Sequence, residues 1–191
     1  EVVNVIRADG FQPDAIVYMV LEGENLITTA KSTGLGVVEL ATIFDNIRPD
    51  VVISVADRFE TIATAIAASY LNIPVAHVQG GEVTGSIDEK VRHAVTKLSI
   101  LHFVANRQAA DRVIRMGEDP EMVFITGCPS IDLAERVQGS MDNGFDPFAA
   151  YAGVGNRFDV RDCYMVVMQH PVTTEYRDSA SQIHETISAV R

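Results

Sequence analysis

A continuous stretch from residue 73 to residue 99 constrains the fold more than any other part of this chain. It opens with a short apolar run, Ile73–Gln79, which has the length of a buried strand. Gly80 and Gly81 follow, and glycine allows the backbone to turn tightly. Ser86-Ile87-Asp88-Glu89 then fits a capping box, which predicts a helix over Ile87–Leu98. A strand that turns into a capped helix is typical of open α/β sheets, which bind ligands where their strands end.

The same alternation of strand and helix continues along most of the chain. Further strands are predicted at Ala15–Leu21, Val51–Val55, Leu101–Val104 and Met122–Thr126. Further helices are predicted at Val2–Ala8, Ser32–Ile47, Asp57–Leu71, Arg107–Met116 and Ile131–Val137. Because Val51–Val55 is apolar throughout, we expect it to be buried on both faces of a parallel sheet. The pattern predicts an α/β fold with a Rossmann-like, doubly wound parallel sheet.

The composition of the sequence changes at Gly139. Residues 139–161 are rich in Gly, Asn and Asp and read as a linker or crossover, with one helical turn near Phe148–Tyr151. An apolar strand, Cys163–Met168, and an amphipathic helix, Tyr176–Val190, are predicted to follow. We therefore expect a first Rossmann-like domain over residues 1–138 that lacks its first strand and helix, and the start of a second such domain over residues 162–191.

Composition argues against nucleic-acid binding as the function of this chain. With 191 residues, 47% of them hydrophobic, the chain can bury a sizeable core. A net charge of −11 argues against nucleic acid as the main partner, because phosphate binding on that scale needs a basic face. An anionic small molecule stays compatible with this charge, since a few arginines or a helix N-terminus can hold a phosphate.

Cysteine usage and hydropathy bear on localisation. Cys128 and Cys163 are the only cysteines and lie far apart, which favours a reduced, cytoplasmic protein over a disulfide framework. No apolar run reaches membrane-spanning length and no signal peptide is recognisable. The chain starts at Glu1 inside a predicted helix and stops inside another, so we expect it to be a fragment of a longer protein.

Asp57 and Arg58 directly follow the predicted strand Val51–Val55. Asp57 has two interpretations: an N-cap with Glu60 as its capping partner, or a functional carboxylate at the carboxyl end of a strand. One residue can serve in both ways, and its place at a strand end favours function. Arg58 is either an ordinary surface arginine or a contact to phosphate or ribose.

Glu82 and Asp88 lie after the next strand along the chain. Carboxylates at adjacent strand ends can share one cavity, where crowding and burial separate their pKa values into one acid and one base. The alternative for Asp88 and Glu89 is negative charge that stabilises a helix N-terminus.

The histidines divide by position. His77 lies inside an apolar strand, so a buried structural role is favoured, and His93 and His102 are expected to be structural or rim residues. His170 ends a predicted strand immediately before Pro171, in a turn suited to presenting polar groups to a cleft. The histidine spacing predicts no metal site, and no G-x-G-x-x-G or Walker motif supports a dehydrogenase or P-loop enzyme.

Several motifs in order resemble a known enzyme family. They are DRFE at Asp57, HVQGGEVTGSIDEKVRHAVTKLS at His77, MGEDP at Met116, GCPSIDLA at Gly127 and QHPVTTE at Gln169. Together they cover nearly the whole chain and strongly resemble the hydrolysing UDP-N-acetylglucosamine 2-epimerases, which begin sialic and related nonulosonic acid synthesis in bacteria. The resemblance implies a glycosyltransferase-B architecture, in which two Rossmann-like domains bind a nucleotide sugar between them.

The resemblance also implies a reaction and its residues. UDP leaves C1 as a proton leaves C2, and water adds to the resulting 2-acetamidoglucal to give N-acetylmannosamine. The implied catalytic residues are Asp57, Asp88, His170 and Glu82. The implied substrate and UDP contacts are Arg58, Gln79, Gly80, Gly81, Ser86 and Arg92. No cofactor and no metal are expected, and the full-length protein is expected to be a homo-oligomer that binds neither nucleic acid nor membrane.

Two departures from the family pattern and three rival functions stay open. Many relatives have glycine where this chain has Ala56. Non-hydrolysing relatives and the animal enzyme have glutamate where this chain has Gln79, whose amide cannot act as a base. The rivals are a glycosyltransferase of the same architecture, a non-catalytic nucleotide-sugar-binding protein, and the same chemistry on another sugar or on a GDP-sugar.

Overall fold

The chain forms two compact units, Glu1–Cys128 and Pro129–Arg191. The computed structural model describes residues 2–23, 25–55, 58–85, 87–138, 145–151, 153–160 and 162–190, without the side chains of residues 173, 174 and 176. Helix Pro129–Gln138, which the sequence analysis assigns to the first domain, belongs to the second unit. The domain limits at 138 and 161 stay a prediction.

A parallel sheet forms the centre of the first unit. Its strands are β1 (Val52–Val55), β2 (Val75–Val78), β3 (Leu101–Val104) and β4 (Val123–Ile125), arranged in the order β1-β2-β3-β4. The register pairs Ser54 with His77 and His77 with His102. The predicted α/β fold with a parallel sheet is confirmed. Strand β3 has the predicted bounds, and the other three strands are shorter than predicted by one or two residues at an end.

Helices connect successive strands on one face of this sheet. Helix α3 (Phe59–Tyr70) leads from β1 to β2, α4 (Ile87–Leu98) from β2 to β3, and α5 (Arg107–Arg115) from β3 towards β4. Right-handed crossovers between strands in sequential order place every connecting helix on the same side. The core accordingly lies between the sheet and these helices, where Val52 and Val75 pack on Ala68, and Val104 packs on Ala109 and Val113.

The opposite face of β1 is not covered by the described residues. Ile53 is 63% exposed and Val55 is 54% exposed, whereas the alternating residues Val52 and Ser54 are buried. The expectation that Val51–Val55 is buried on both faces is therefore wrong for the described part of the chain. The physical reason is the sequential strand order, which brings α3, α4 and α5 to one face only.

The segment before the sheet differs from the sequence prediction. Helix α1 spans Val2–Ala8 as predicted, but α2 spans Leu26–Ile47 and begins earlier, because Asn25 and Thr28 form a capping box. The predicted strand Ala15–Leu21 does not form. Its main chain is held by a helix instead of a strand: Leu21 N donates to Ser32 Oγ at 2.9 Å.

The second unit is mainly helical in its described residues. It contains α6 (Pro129–Gln138), α7 (Pro147–Ala150), a 3₁₀ segment at Thr173–Asp178 and α8 (Ser179–Ala189). The predicted strand Cys163–Met168 is irregular, and Met165 and Met168 are exposed. A strand needs a neighbour to pair its main-chain groups, and none is present among the described residues of this unit. Within the described ranges, no helix is both long and apolar enough to span a membrane.

Candidate functional site

The loop between β2 and α4 lies at the carboxyl edge of the sheet. It starts at Gln79, whose main-chain N–H donates to Phe103 O at 2.8 Å and so extends the pairing with β3 by one bond. Gln79 has a φ of 64° and Gly81 a φ of 79°. Left-handed φ is uncommon for a residue with a side chain and costs of order 1–3 kcal/mol, so the surrounding contacts must hold Gln79 in this conformation.

The two glycines permit close packing that a side chain would prevent. A Cβ at Gly81 would lie 2.3 Å from the carbonyl oxygen of Ala109, and a Cβ at Gly80 would lie 2.9 Å from His77 Nδ1. The loop therefore rests directly on the start of α5 and on the β2 histidine. This close approach, together with the positive φ at Gly81, explains why glycine occupies these positions.

Side chains from two helices hold the main chain of the loop. Arg112 Nη1 of α5 donates to Gly81 O at 2.9 Å, and Arg92 Nη1 of α4 donates to Glu82 O at 2.7 Å. Arg92 is 4% exposed, so its aliphatic stem and most of its guanidinium are inside the protein. The two carbonyl groups are thus fixed by charged donors, which form stronger hydrogen bonds than neutral ones.

Glu89 closes the other end of the loop. Its Oε2 accepts from the main-chain N–H groups of Gly85 at 2.7 Å and Thr84 at 3.0 Å. These bonds lower the pKa of the Glu89 carboxyl below its ordinary value, and the bond from Gly85 has the largest effect. The capping box stays a prediction, and the described residues show only that Glu89 reaches back into the loop. Its partner Ser86, also a predicted substrate contact, lies outside the described residues.

Two buried histidines support the sheet beneath the loop. His77 is fully buried and its Nδ1 lies 3.1 Å from Thr96 Oγ1, which itself donates to Arg92 O at 3.0 Å. His102 Nε2 lies 3.3 Å from Glu118 Oε2, and burial lowers the pKa of His102 below 6.5. Structural roles predicted for His77 and His102 agree with these contacts.

The residues after β1 are only partly described. Asp57 and Ala56 lie outside the described residues, so their predicted roles stay predictions. The N-cap of α3 is Arg58, and its side chain does not cap the helix. Its guanidinium is exposed and pairs with Glu60 at 3.1 Å, at one wall of an open cleft of about 700 Å³ whose other wall includes Leu21 and Thr28.

The remaining predicted site residues divide between the two units. Gln79, Gly80, Gly81, Glu82, Asp88 and Arg92 all lie in the loop after β2 or in α4, which the structure brings together at one edge. Glu82 and Asp88 are both half-buried, Asp88 in the first turn of α4. Arg58 follows the adjacent strand β1, whose carboxyl end lies at the same edge because β1 and β2 are parallel. His170 belongs to the second unit and is exposed there.

Sequence reasoning missed two side chains that contact this loop. Arg112 reaches Gly81 across 31 positions, and Cys128 accepts a hydrogen bond from Gln79 Nε2 at 3.2 Å across 49 positions. No local pattern marks either residue as a partner of the loop. Within the described ranges, no group of three or more His, Cys, Asp or Glu side chains is arranged to hold a metal ion.

The fold and this edge define a class of protein. A parallel α/β sheet with polar, tightly held loops at the carboxyl ends of its strands is typical of Rossmann-like proteins, which bind ligands at that edge. A family model described as UDP-N-acetylglucosamine 2-epimerase matches residues 4–191. The chain belongs to the UDP-N-acetylglucosamine 2-epimerase family, and its fold is the glycosyltransferase-B type of that family.

Named relatives agree with this assignment. The chain is 37% identical over 193 residues to a UDP-N,N'-diacetylbacillosamine 2-epimerase (hydrolyzing) from Legionella pneumophila, covering 98% of this chain and 48% of that protein. It is 35% identical over 136 residues to a UDP-N-acetylglucosamine 2-epimerase from Neisseria meningitidis, covering 71% of this chain and 34% of the relative. A crystal structure of a UDP-N-acetylglucosamine 2-epimerase matches with a TM-score of 0.61 and 30% identity, over 68% of this chain and 37% of that one. The chain therefore spans about half or less of these relatives.

Proposed function

We propose that the whole protein is a hydrolysing 2-epimerase that converts UDP-N-acetylglucosamine to N-acetylmannosamine and UDP. A base removes the proton from C2 while the C1–O bond breaks and UDP departs with its electron pair, leaving a 2-acetamidoglucal. Water then adds across the double bond: C1 gains the hydroxyl and C2 gains a proton on the opposite face. The product is expected to feed sialic or nonulosonic acid synthesis.

The proposed roles follow the chemistry that each step needs. Asp57 and Asp88 serve as acid and base at C2, Glu82 assists at the same edge, and His170 contributes from the second unit. Arg58 contacts the departing diphosphate, where positive charge stabilises the leaving group. The loop residues Gln79, Gly80, Gly81 and Ser86 are the proposed substrate contacts, and the buried Arg92 supports the loop through its bond to Glu82 O.

One observation carries this proposal. A half-buried pair of carboxylates, Glu82 and Asp88, lies at the carboxyl edge of a parallel sheet in a chain that belongs to a 2-epimerase family. Acid/base work at a carbon centre needs carboxylates that the substrate can reach, and the half-buried positions of Glu82 and Asp88 support this role. Gln79 lies in the same loop as Glu82, and its amide can donate and accept hydrogen bonds but cannot remove a proton.

The proposal is tested with the whole protein, UDP-N-acetylglucosamine and no acceptor, in deuterium oxide and separately in ¹⁸O-water. Elimination and hydration predict free N-acetylmannosamine with deuterium at C2, and UDP that carries no solvent oxygen because the C1–O bond breaks. A glycosyltransferase would give no N-acetylmannosamine. UDP-N-acetylmannosamine as the product would identify a non-hydrolysing epimerase, and tight UDP binding without turnover would identify a binding protein.

A second candidate substrate has specific support. The Legionella relative, which covers 98% of this chain, is named for UDP-N,N'-diacetylbacillosamine. This nucleotide sugar carries an acetamido group at C2 as well, so the same elimination and hydration apply to it. Competition between the two nucleotide sugars at equal concentration gives the ratio of kcat/KM, which decides the preferred substrate.

The setting of the reaction is also proposed. We place the enzyme in the cytoplasm, where nucleotide sugars are made, and both cysteines are free thiols, as a reducing compartment favours. We expect it to act without a metal or cofactor and as a homo-oligomer. Light scattering of the whole protein and turnover after dialysis against a chelator test these expectations.

A further inference from the structure

The orientation of two peptide groups in the loop after β2 carries an inference beyond the acid/base residues. The carbonyl groups of Gly81 and Glu82 point towards Arg112 and Arg92, which lie on α5 and α4. In a trans peptide the N–H of the next residue points the opposite way, and the described residues contain no cis peptide bond. The N–H groups of Glu82 and Val83 are therefore turned away from these two helices.

Among the described residues, neither Glu82 N nor Val83 N donates to an acceptor. Val83 is 56% exposed and Glu82 is half-buried, so both residues lie at the surface of the loop. The backbone packs closely here, since a Cβ at Gly81 would lie 2.3 Å from Ala109 O, and Glu89 Oε2 accepts from the N–H groups of Thr84 and Gly85 that follow.

We propose that the main-chain N–H groups of Glu82 and Val83 bind a neutral oxygen atom of the sugar, and that Arg112 is the positioning residue that orients the Glu82 N–H. This inference rests on the proposed function, since the ligand is the sugar part of the nucleotide sugar. A hydroxyl or N-acetyl carbonyl oxygen fits better than a diphosphate, because the Glu82 carboxylate belongs to the residue that supplies one of the two N–H groups and repels an anion.

Arg112 acts at a distance from the substrate. Its contact is the carbonyl oxygen of Gly81, and its loss frees the peptide between Gly81 and Glu82 to rotate. The Glu82 N–H would then no longer be held in the direction in which it donates to the sugar oxygen. Because small misplacements of binding groups lower reaction rates strongly, the effect is expected in turnover of the sugar and not in UDP binding.

The test uses Arg112→Met in the whole protein, with Arg112→Lys and Arg115→Met beside it. Arg112→Met keeps the aliphatic stem and removes the donors, and we expect kcat/KM for the nucleotide sugar to fall about tenfold to hundredfold while the Kd for UDP stays unchanged. Arg112→Lys should lose less. Arg115 lies on the same helix, is exposed and bonds only within its own turn, so Arg115→Met should match the wild type.

Three results would overturn the proposal. The first is an equal weakening of UDP and nucleotide-sugar binding in Arg112→Met, which would assign the site to the diphosphate. The second is a loss of turnover in Arg112→Met that is fully explained by the fraction of unfolded protein measured in thermal melts. The third is failure of guanidinium ion to restore any activity to Arg112→Ala.

A direct measurement separates this inference from the proposed reaction. In the ¹⁵N-labelled whole protein, the amide signals of Glu82 and Val83 should shift with UDP-N-acetylglucosamine and not with UDP. This readout needs binding but no turnover, so it stands even if the hydrolysing reaction is wrong. Unchanged amide signals at saturating nucleotide sugar would refute the binding role of these N–H groups.

Discussion

The side-chain amide of Gln79 is tied to Cys128: its Nε2 donates to the cysteine Sγ at 3.2 Å, while its backbone has a φ of 64°. Gln79 also follows the last residue of β2 and bonds to the end of β3 through its N–H. A non-glycine residue in the left-handed region persists only when its neighbours hold it there. Cys128 is therefore a structural partner of Gln79.

Replacing this cysteine should change activity in a graded way. We expect Cys128→Ala to lower kcat/KM about 2- to 10-fold, because the Gln79 amide loses an acceptor worth roughly 0.5–1.5 kcal/mol. Cys128→Ser keeps an acceptor and should lose less. Cys163→Ala is the matched control, since Cys163 is an exposed free thiol in the second unit. Steady-state kinetics of the whole protein check this, and equal losses in the serine and alanine variants would contradict it.

Removing the carboxylate at Asp88 tests its proposed role in proton transfer. Asp88→Asn nearly preserves size but cannot exchange a proton, so turnover should fall by ~10²–10⁴-fold with the fold retained. Asp132→Asn is the control, because Asp132 also lies in the first turn of a helix, α6, and shares any helix-dipole effect. Kinetics and thermal melts are measured together. Normal turnover of the folded Asp88→Asn protein would return Asp88 to a helix-stabilising role.

Alanine at three glycines separates backbone strain from steric clash. Gly81→Ala should destabilise the protein by about 2–4 kcal/mol, because its Cβ meets Ala109 O and its φ is positive. Gly85→Ala has a positive φ but open space around its Cβ, so about 1 kcal/mol is expected. Gly34→Ala lies in the interior of α2 with no atom near its Cβ and should stabilise by about 0.5–1 kcal/mol.

Chemical denaturation of the three glycine variants gives the free energies of unfolding. The expected order of stability is Gly34→Ala above wild type, then Gly85→Ala, then Gly81→Ala. A Gly81→Ala protein as stable as Gly85→Ala would show that the loop can move away from α5.

The buried His102 predicts a dependence of stability on pH. Burial lowers its pKa below 6.5 in the folded state, so the unfolded state binds the proton more readily. Its contribution to stability is complete above pH 6.5 and declines as the pH falls through 6.5 towards the lowered folded pKa. Across this pH range, the free energy of unfolding of His102→Gln should depend less on pH than that of the wild type. The matched control, His184→Gln, changes an exposed histidine of α8 and should leave the slope intact.

Much of the local structure follows from the sequence. Helix α4 spans Ile87–Leu98 and β3 spans Leu101–Val104 as predicted, because apolar periodicity and glycine turns are properties of short segments. The predicted glycine turn likewise appears between β2 and α4, because paired glycines after an apolar run allow the backbone to turn tightly. Alternation of strands and helices was enough to predict the parallel sheet.

Contacts between distant segments were decided only by the tertiary structure. Arg112 and Cys128 reach the loop from 31 and 49 positions away, and no local pattern encodes such a pair. Strands predicted at Ala15–Leu21 and Cys163–Met168 do not form, because a strand depends on a neighbour to bond its main chain, whereas a helix satisfies its own. Sequence thus determined the elements and the edge where the site lies, while packing determined which side chains hold its main chain in place.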